Sequence, residues 1–445
     1  MNAPQSANQL IDACKSSEPS LDDKYTQKEG RIYLNGSQAL VRLMLLQAER
    51  DRVNGLHTGG FVSGYRGSPL GAVDQAFWAA KKFLEPSRIK FQPGLNEDLG
   101  ATSVWGSQQV NLFEGATVDG VFGLWYGKGP GVDRAMDVFK HANAAGTSRH
   151  GGVLLVAGDD HGAKSSTLPH QSDHVLKAAL MPVLFPSNVQ EILDYGLLGY
   201  AMSRYCGAWV GFKAIADVVE SSASVEVSPE RPRIELPQDF VLPPAGLNIR
   251  WPDPALDQEA RLLDYKLYAA LAFARANKIN HTVIDSPHAR FGIVASGKAY
   301  RDTLQALNDL GLSPERCRDL GIRVYKVGMV WPLEAQGIRE FARGLQEILV
   351  VEEKRQMLEY QIKEELYAWR EEIRPKVYGK FDERSSADGR EGGEWSIPQG
   401  RWLLPTHYEL DPALIAKAIA HRLSRFDLPA DTRQAMAQQD RKSVV

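Results

Sequence analysis

VDGVFGLWYGKGPGVDRAMDVFKHANAAGTSRHGGVLLVAG, Val118–Gly158, decides the fold. VDGVFGLWYG (Val118–Gly127) and GGVLLVAG (Gly151–Gly158) are apolar runs of strand length, and GVDRAMDVFKHANAA (Gly131–Ala145) between them has helical spacing. On the N-terminal side, TGGFVSG (Thr58–Gly64) is strand-like and ends in glycine. GAVDQAFWAAKKFL (Gly71–Leu84) and Leu99–Phe113 follow as helices. On the C-terminal side, MPVLFP opens another strand–helix unit and GAWVGFK (Gly207–Lys213) closes the series. Strands alternating with helices predict an α/β fold with a doubly wound, mainly parallel sheet.

Composition changes at Ser221–Pro254, where prolines exclude helix interiors and central strands and an extended linker is expected. A helix is expected over Gln258–Lys278, and then a second, smaller α/β unit begins. Its strands are RFGIVASG, IRVYKVG and EILVVEE, each followed by a helix. The division expected is a polar leader over 1–29, a first domain over 30–220, a proline-rich linker and helix over 221–280, and a second domain over 281–372. A loop (Ser385–Gly393), a helix (Asp411–Leu423) and a polar tail complete 373–445.

Hydrophobic residues make up 43% of the 445 and charged residues 24%, an ordinary globular composition. Lys and Arg number 52 against 55 Asp and Glu, a net charge of −3, so no basic excess points to nucleic acid or a membrane surface. Cys14, Cys206 and Cys317 lie far apart and cannot hold an iron–sulfur cluster. The leader lacks the basic and apolar regions of a secretory signal, and no apolar run is long enough to span a bilayer. A cytoplasmic protein is expected.

Common motifs fail. Gly64, Gly67 and Gly71 fit neither GxGxxG nor a P-loop, and there is no GxSxG elbow. His170 and His174 are four apart but enclose QSD, so a solvated or structural pair is expected ahead of a metal site. Gly158-Asp159-Asp160 departs from the GDG of magnesium–diphosphate motifs and is read as a strand-end loop.

GYRGSP (Gly64–Pro69), NEDLGATSVWG (Asn96–Gly106) and the later series ASGKAY, YKVGMVWPLE and LVVEEKR together resemble the thiamine-diphosphate-dependent 2-oxoacid:ferredoxin oxidoreductases. The resemblance is to the N-terminal portion of the long fused indolepyruvate:ferredoxin oxidoreductases, over about Gly30 to Leu423. It implies a first domain that binds the cofactor's aminopyrimidine ring and a second like the C-terminal domain of transketolase. It implies oxidative decarboxylation of aryl or branched-chain 2-oxoacids, with ferredoxin as acceptor and coenzyme A as co-substrate. Glu97 is then the catalytic acid that hydrogen-bonds the ring nitrogen N1′ and so activates the proton at thiazolium C2. Read from residues alone, Glu97 also serves as an acidic first-turn residue behind an Asn96 cap.

The same resemblance places Gly64, Tyr65 and Gly67 against the cofactor and Ser68 near the substrate carbonyl. Arg66, which departs from the family's usual proline, pairs with a substrate carboxylate or stands in solvent at a turn. Lys128, in WYGKGPGVDR, lines the site for an anionic oxoacid or merely precedes a glycine turn. No metal ligand is identified. Magnesium, the diphosphate grip and the 4Fe–4S clusters are expected in a missing part or a partner subunit, so this chain alone is expected to be an inactive half-site that forms a homodimer or binds a partner. A transketolase-like, non-oxidative half-enzyme and a non-catalytic assembly subunit stay open as alternatives.

Overall fold

The computed structural model describes residues 20–383, 402–434 and 436. Its first strand, β1 (Gly30–Asn35), runs directly into the helix Gly36–Val53. Asn35 makes that junction, accepting from the Gln38 amide at 2.8 Å while the Gln38 side chain accepts from the Asn35 amide at 3.1 Å. This reciprocal cap satisfies two amide groups that a helix start leaves free.

The first unit continues with β2 (Gly59–Gly64), β3 (Ile89–Phe91), β4 (Val121–Lys128), β5 (Val153–Gly158), β6 (Val183–Leu184) and β7 (Val210–Lys213). These six are parallel neighbours in the order β6-β7-β5-β4-β2-β3, as the α/β reading requires. β5 is buried at every position, so the sheet is covered on both faces. β8 (Ser222–Val227) leaves this sheet and pairs antiparallel with β1, Gly30 opposite Val227. The proline-rich stretch expected as an extended linker therefore opens with a strand, whose Val225 and Val227 are buried and whose Ser224 and Glu226 are exposed. The helix after it is interrupted by a π turn at Leu262–Lys266, between Ala255–Arg261 and Leu267–Ala276.

The second unit contains β9 (His281–Ile284), β10 (Phe291–Ser296), β11 (Ile322–Val327), β12 (Met329–Trp331), β13 (Glu347–Val351) and β14 (Lys376–Tyr378). Five of them form a sheet in the order β14-β13-β10-β11-β9, parallel except for β9. β14 and the helix Pro412–Leu423 belong to this unit although both lie beyond residue 372. The loop Ser385–Gly393, residues 1–19 of the leader and residues 437–445 of the tail lie outside the described residues.

The two units are not independent. β12 turns out of the second unit and pairs antiparallel with β6, giving the first sheet its seventh strand. Strand alternation extends the union: Val294, Tyr325, Ile348 and Val350 face the core shared with the first unit, while Ile293, Val324, Leu349 and Val351 face a second core with Ile415 and Ile419.

Candidate functional site

Strand order reverses between β2 and β4, because β3 lies to one side of β2 and the later strands to the other. In open α/β sheets, ligands bind in the crevice outside the C-terminal ends of the strands at such a point. Three segments meet there: Gly64–Pro69 after β2, the helix Glu97–Gln108 after β3, and the helical turn Gly129–Arg134, a six-residue helix, after β4.

Glu97 is the first residue of its helix. Asn96 caps it, the side chain accepting from the Leu99 amide at 2.9 Å. The helix start is clamped to β2 by closeness of backbone: a Cβ on Gly100 would stand 3.0 Å from Gly64 Cα, and one on Gly64 would stand 2.0 Å from the Tyr126 carbonyl oxygen. The Gly94 amide adds a hydrogen bond to the Gly64 carbonyl at 2.8 Å. Glycine at Gly64 thus serves the packing of this junction. Behind Glu97, the Trp125 indole donates to its backbone carbonyl at 3.2 Å. The side chain lies on Gly131, where an added Cβ would meet Glu97 Oε1 at 2.8 Å. Glu97 is 7% exposed, and among the described residues its carboxylate has no hydrogen-bond or ion-pair partner.

The other expected residues ring this acid. Tyr65 and Arg66 are exposed, and Gly67 and Ser68 are half-buried. Gly67 lies on the aliphatic stem of Lys128. Neither Arg66 nor Lys128 forms an ion pair among the described residues, so both cations are available beside the crevice. The Ser68 hydroxyl is bonded to that of Ser165, and Ser166 Oγ donates to the Ser68 carbonyl at 3.3 Å. The loop after β5 therefore holds the GYRGSP loop in place. Tyr126 donates to Asp74 at 2.6 Å; burial and that acid push its phenol well above the ordinary range.

A second polar assembly, at the end of β5, was not foreseen. Asp159 and Asp160 lie in the strand-end loop after β5, as expected, but are buried, 0% and 1% exposed. Asp160 Oδ2 accepts from the amides of Ser165 and Ser166 at 2.8 and 3.0 Å. Asp159 accepts from Ser172 Oγ at 2.6 Å and the Ser172 amide at 2.8 Å, and stands 3.7 Å from Lys213 Nζ and 3.6 Å from His170 Nδ1. Burial alone would raise its pKa, but His170, Lys213 and Ser172 outweigh it and hold the carboxyl far below the usual range. Lys213, 1% exposed, donates to Asp173 at 2.7 Å. His170 joins Asp133 at 2.8 Å and is raised to about 9, first by Asp159. Its ring packs on Gly129, where a Cβ would stand 2.2 Å from Cγ. The turn 129–134 is thus gripped from both sides, by His170 on Gly129 and by Glu97 on Gly131.

His174 stands on the helix Asp173–Ala178 and His170 precedes it, so the two histidines do not share a helix face. Among the described residues, no group of three or more His, Cys, Asp or Glu could hold a metal ion. The Glu97 carboxylate, without a hydrogen-bond or ion-pair partner among the described residues, is free to accept from a ligand nitrogen. The sequence signal for the assembly at Asp159 was slight: an acid directly after one apolar strand and a lysine at the end of another.

Residues 280–442 match the family described as the indolepyruvate ferredoxin oxidoreductase middle domain. Indolepyruvate oxidoreductase subunit IorA of Methanothermobacter marburgensis is 26% identical over 369 residues, covering 81% of this chain and 53% of the relative. The protein of the same name from Archaeoglobus fulgidus is 27% identical over 267 residues, covering 56% of this chain and 38% of the relative. The chain thus spans about half the length, or less, of the curated relatives it matches. Among solved structures, a 2-oxoglutarate:ferredoxin oxidoreductase from Magnetococcus marinus has a similar fold, with a TM-score of 0.54 at 16% identity over 79% of this chain and 62% of that one. No helix among the described residues is long and apolar enough to cross a membrane.

Proposed function

We propose that the chain belongs to the indolepyruvate ferredoxin oxidoreductase family, whose middle-domain description matches residues 280–442, and that its first α/β unit supplies the aminopyrimidine side of a thiamine-diphosphate site. The reaction would be oxidative decarboxylation of an aryl or branched-chain 2-oxoacid. The observation that carries this reading is Glu97, 7% exposed at the switch-point crevice, whose carboxylate has no hydrogen-bond or ion-pair partner among the described residues. That carboxylate is free to accept a hydrogen bond from a ligand nitrogen that enters the crevice.

In this reading Glu97 holds a proton at N1′ of the aminopyrimidine, and Trp125 and Gly131 fix where its side chain lies. Gly64, Tyr65 and Gly67 form the wall against the ring. Arg66 and Lys128 attract the carboxylate of the oxoacid, and Ser68 sits nearest its carbonyl. When bound, the cofactor supplies a thiazolium ring that accepts the electron pair released as CO₂ departs. The second α/β unit is the transketolase-C-like domain. Magnesium, the diphosphate contacts, the iron–sulfur clusters and the sites for ferredoxin and coenzyme A belong to further sequence or to a partner subunit. That partner, or a second copy of this chain, closes the crevice of a cytoplasmic enzyme.

Reconstitution tests the reading. The complete enzyme, supplied with indolepyruvate, coenzyme A and oxidised ferredoxin, should release CO₂ and reduce ferredoxin in a thiamine-diphosphate-dependent way. Transfer between sugar phosphates with no ferredoxin reduction would replace this reading with the non-oxidative one.

A further inference from the structure

A cleft of about 1000 Å³ opens on the opposite edge of the seven-stranded sheet. Residues 56–58, just before β2, and 87–88, just before β3, form one side, and residues 228–234 after β8 form the other. β2 has six residues, so this edge is about 20 Å from the crevice at Glu97. The volume is at the upper end of the roughly 300–1,000 Å³ typical of small-molecule sites.

The charge of the lining is one-sided. It contains eight lysines and arginines but two glutamates, in a chain of net charge −3. Most of that excess is neutralised locally: Glu49 pairs with Lys28 and Arg52, Asp22 with Lys82, Asp194 and Glu226 with Arg231, and Glu235 with Arg233. Arg42, Arg50 and Arg88 form no ion pair among the described residues, although Glu49 acts on Arg42, and Asp51 and Asp194 on Arg50, through their charge. Arg42 is 4% exposed; it donates to the carbonyls of Tyr25 and Gln27, and its Nε is buried with no partner. Arg50 donates to the carbonyls of Pro229 and Pro232, and burial lowers its pKa. Arg88 is exposed, with φ at 55° in the left-handed region, and its Nη1 lies 3.3 Å from His57 Nδ1. A guanidinium can only donate, so His57 accepts there and its Nε2–H is left as a further donor. Between these donors the walls are apolar, with Leu45, Phe83 and Ile234.

The exposed Arg88 guanidinium and the His57 N–H beside it, set next to apolar walls, suit a ligand with an anionic end and an apolar body. We propose that this cleft binds an organic anion in which a phosphate or carboxylate is joined to an aromatic or other apolar group, at a site separate from the crevice at Glu97. The proposal stands independently of the thiamine reading.

Calorimetry on the full chain tests it with four probes: ADP, indoleacetate, adenosine and inorganic phosphate. ADP, indoleacetate or both should bind, and more weakly as salt rises, whereas adenosine should not. Inorganic phosphate should bind more weakly than ADP. Binding of ADP alone assigns a phosphate ligand; binding of indoleacetate alone assigns a carboxylate. Arg88→Ala should weaken binding roughly tenfold or more, the value of one charge-assisted hydrogen bond. Arg88 is exposed, so this variant keeps the fold even where Arg50→Ala does not. Glu97→Gln should leave the affinity unchanged, which separates this site from the crevice. Failure of both organic anions to bind overturns the proposal, as does adenosine binding equal to ADP or an Arg88→Ala variant with parent affinity.

Discussion

Glu97 and Asp159 are two buried acids at the same edge of one sheet, and their surroundings are opposite. Asp159 accepts two hydrogen bonds from Ser172 and stands within 4 Å of both Lys213 and His170. Glu97, about as well buried, has no partner among the described residues. A carboxylate held by cations and donors is locked in its ionised form and builds structure. A carboxylate without donors around it is free to accept a hydrogen bond from whatever enters. The contrast separates an acid that positions the turn 129–134 from an acid that the turn presents.

The largest expected effect would break the comparison at Glu97. In the complete enzyme, Glu97→Gln should slow C2–H/D exchange of bound thiamine diphosphate by roughly 10²–10⁴-fold, the usual worth of positioned acid–base assistance. The thermal midpoint should stay near that of the parent. NMR of the bound cofactor reads the rate, and parent-like exchange in the variant would refute the role given to Glu97.

Asp159→Asn should instead act on stability. It leaves Lys213 paired with Asp173 alone and takes the charge from the acceptor of the Ser172 hydrogen bonds, which should destabilise by about 1–3 kcal/mol. Denaturant melts check this; a loss below about 1 kcal/mol would remove Asp159 from the structural side of the comparison.

A pH series sharpens the role of His170. Its folded-state pKa of about 9 lies above the ordinary 6.5, because of Asp159 and Asp133. The stability it contributes is therefore complete below about pH 6.5 and is lost as pH rises towards 9. The stability difference between the parent and His170→Gln should shrink across that window by on the order of 2–3 kcal/mol. Lys266, lowered to about 7 by burial, acts in the opposite sense above pH 7, so the difference between the two proteins is the quantity to follow.

The smallest effect expected is at the cap. Asn96→Ala should cost about 1 kcal/mol in a denaturant melt. C2 exchange should change far less than in Glu97→Gln.

Strand and helix alternation made β2, β4, β5 and β7 legible in the sequence, and β10, β11 and β13 likewise, because each is a continuous apolar run. β1 and the helix Gly36–Val53 were passed over, since the polar opening seemed to extend to Gly30 and the pattern was followed only from Thr58. β8 was hidden among prolines, and its identity as a strand depends on a partner, β1, nearly the full first unit away. The place of Glu97 at a helix start capped by Asn96 was legible in NEDLG. Asp159, His170 and Lys213 were not, because their meeting is made by the order of β5 and β7 in the sheet, and no spacing along the chain records it.

The strand β12 carries a consequence in time. β6 leaves the ribosome about 145 residues before Met329, which completes its side of the sheet. At 5–20 residues per second, synthesis leaves that edge open for roughly 7–30 s. An unpaired edge is a template for other chains. Conditions that stall translation between Leu184 and Met329 should therefore raise aggregation of the nascent protein more than stalls after Trp331.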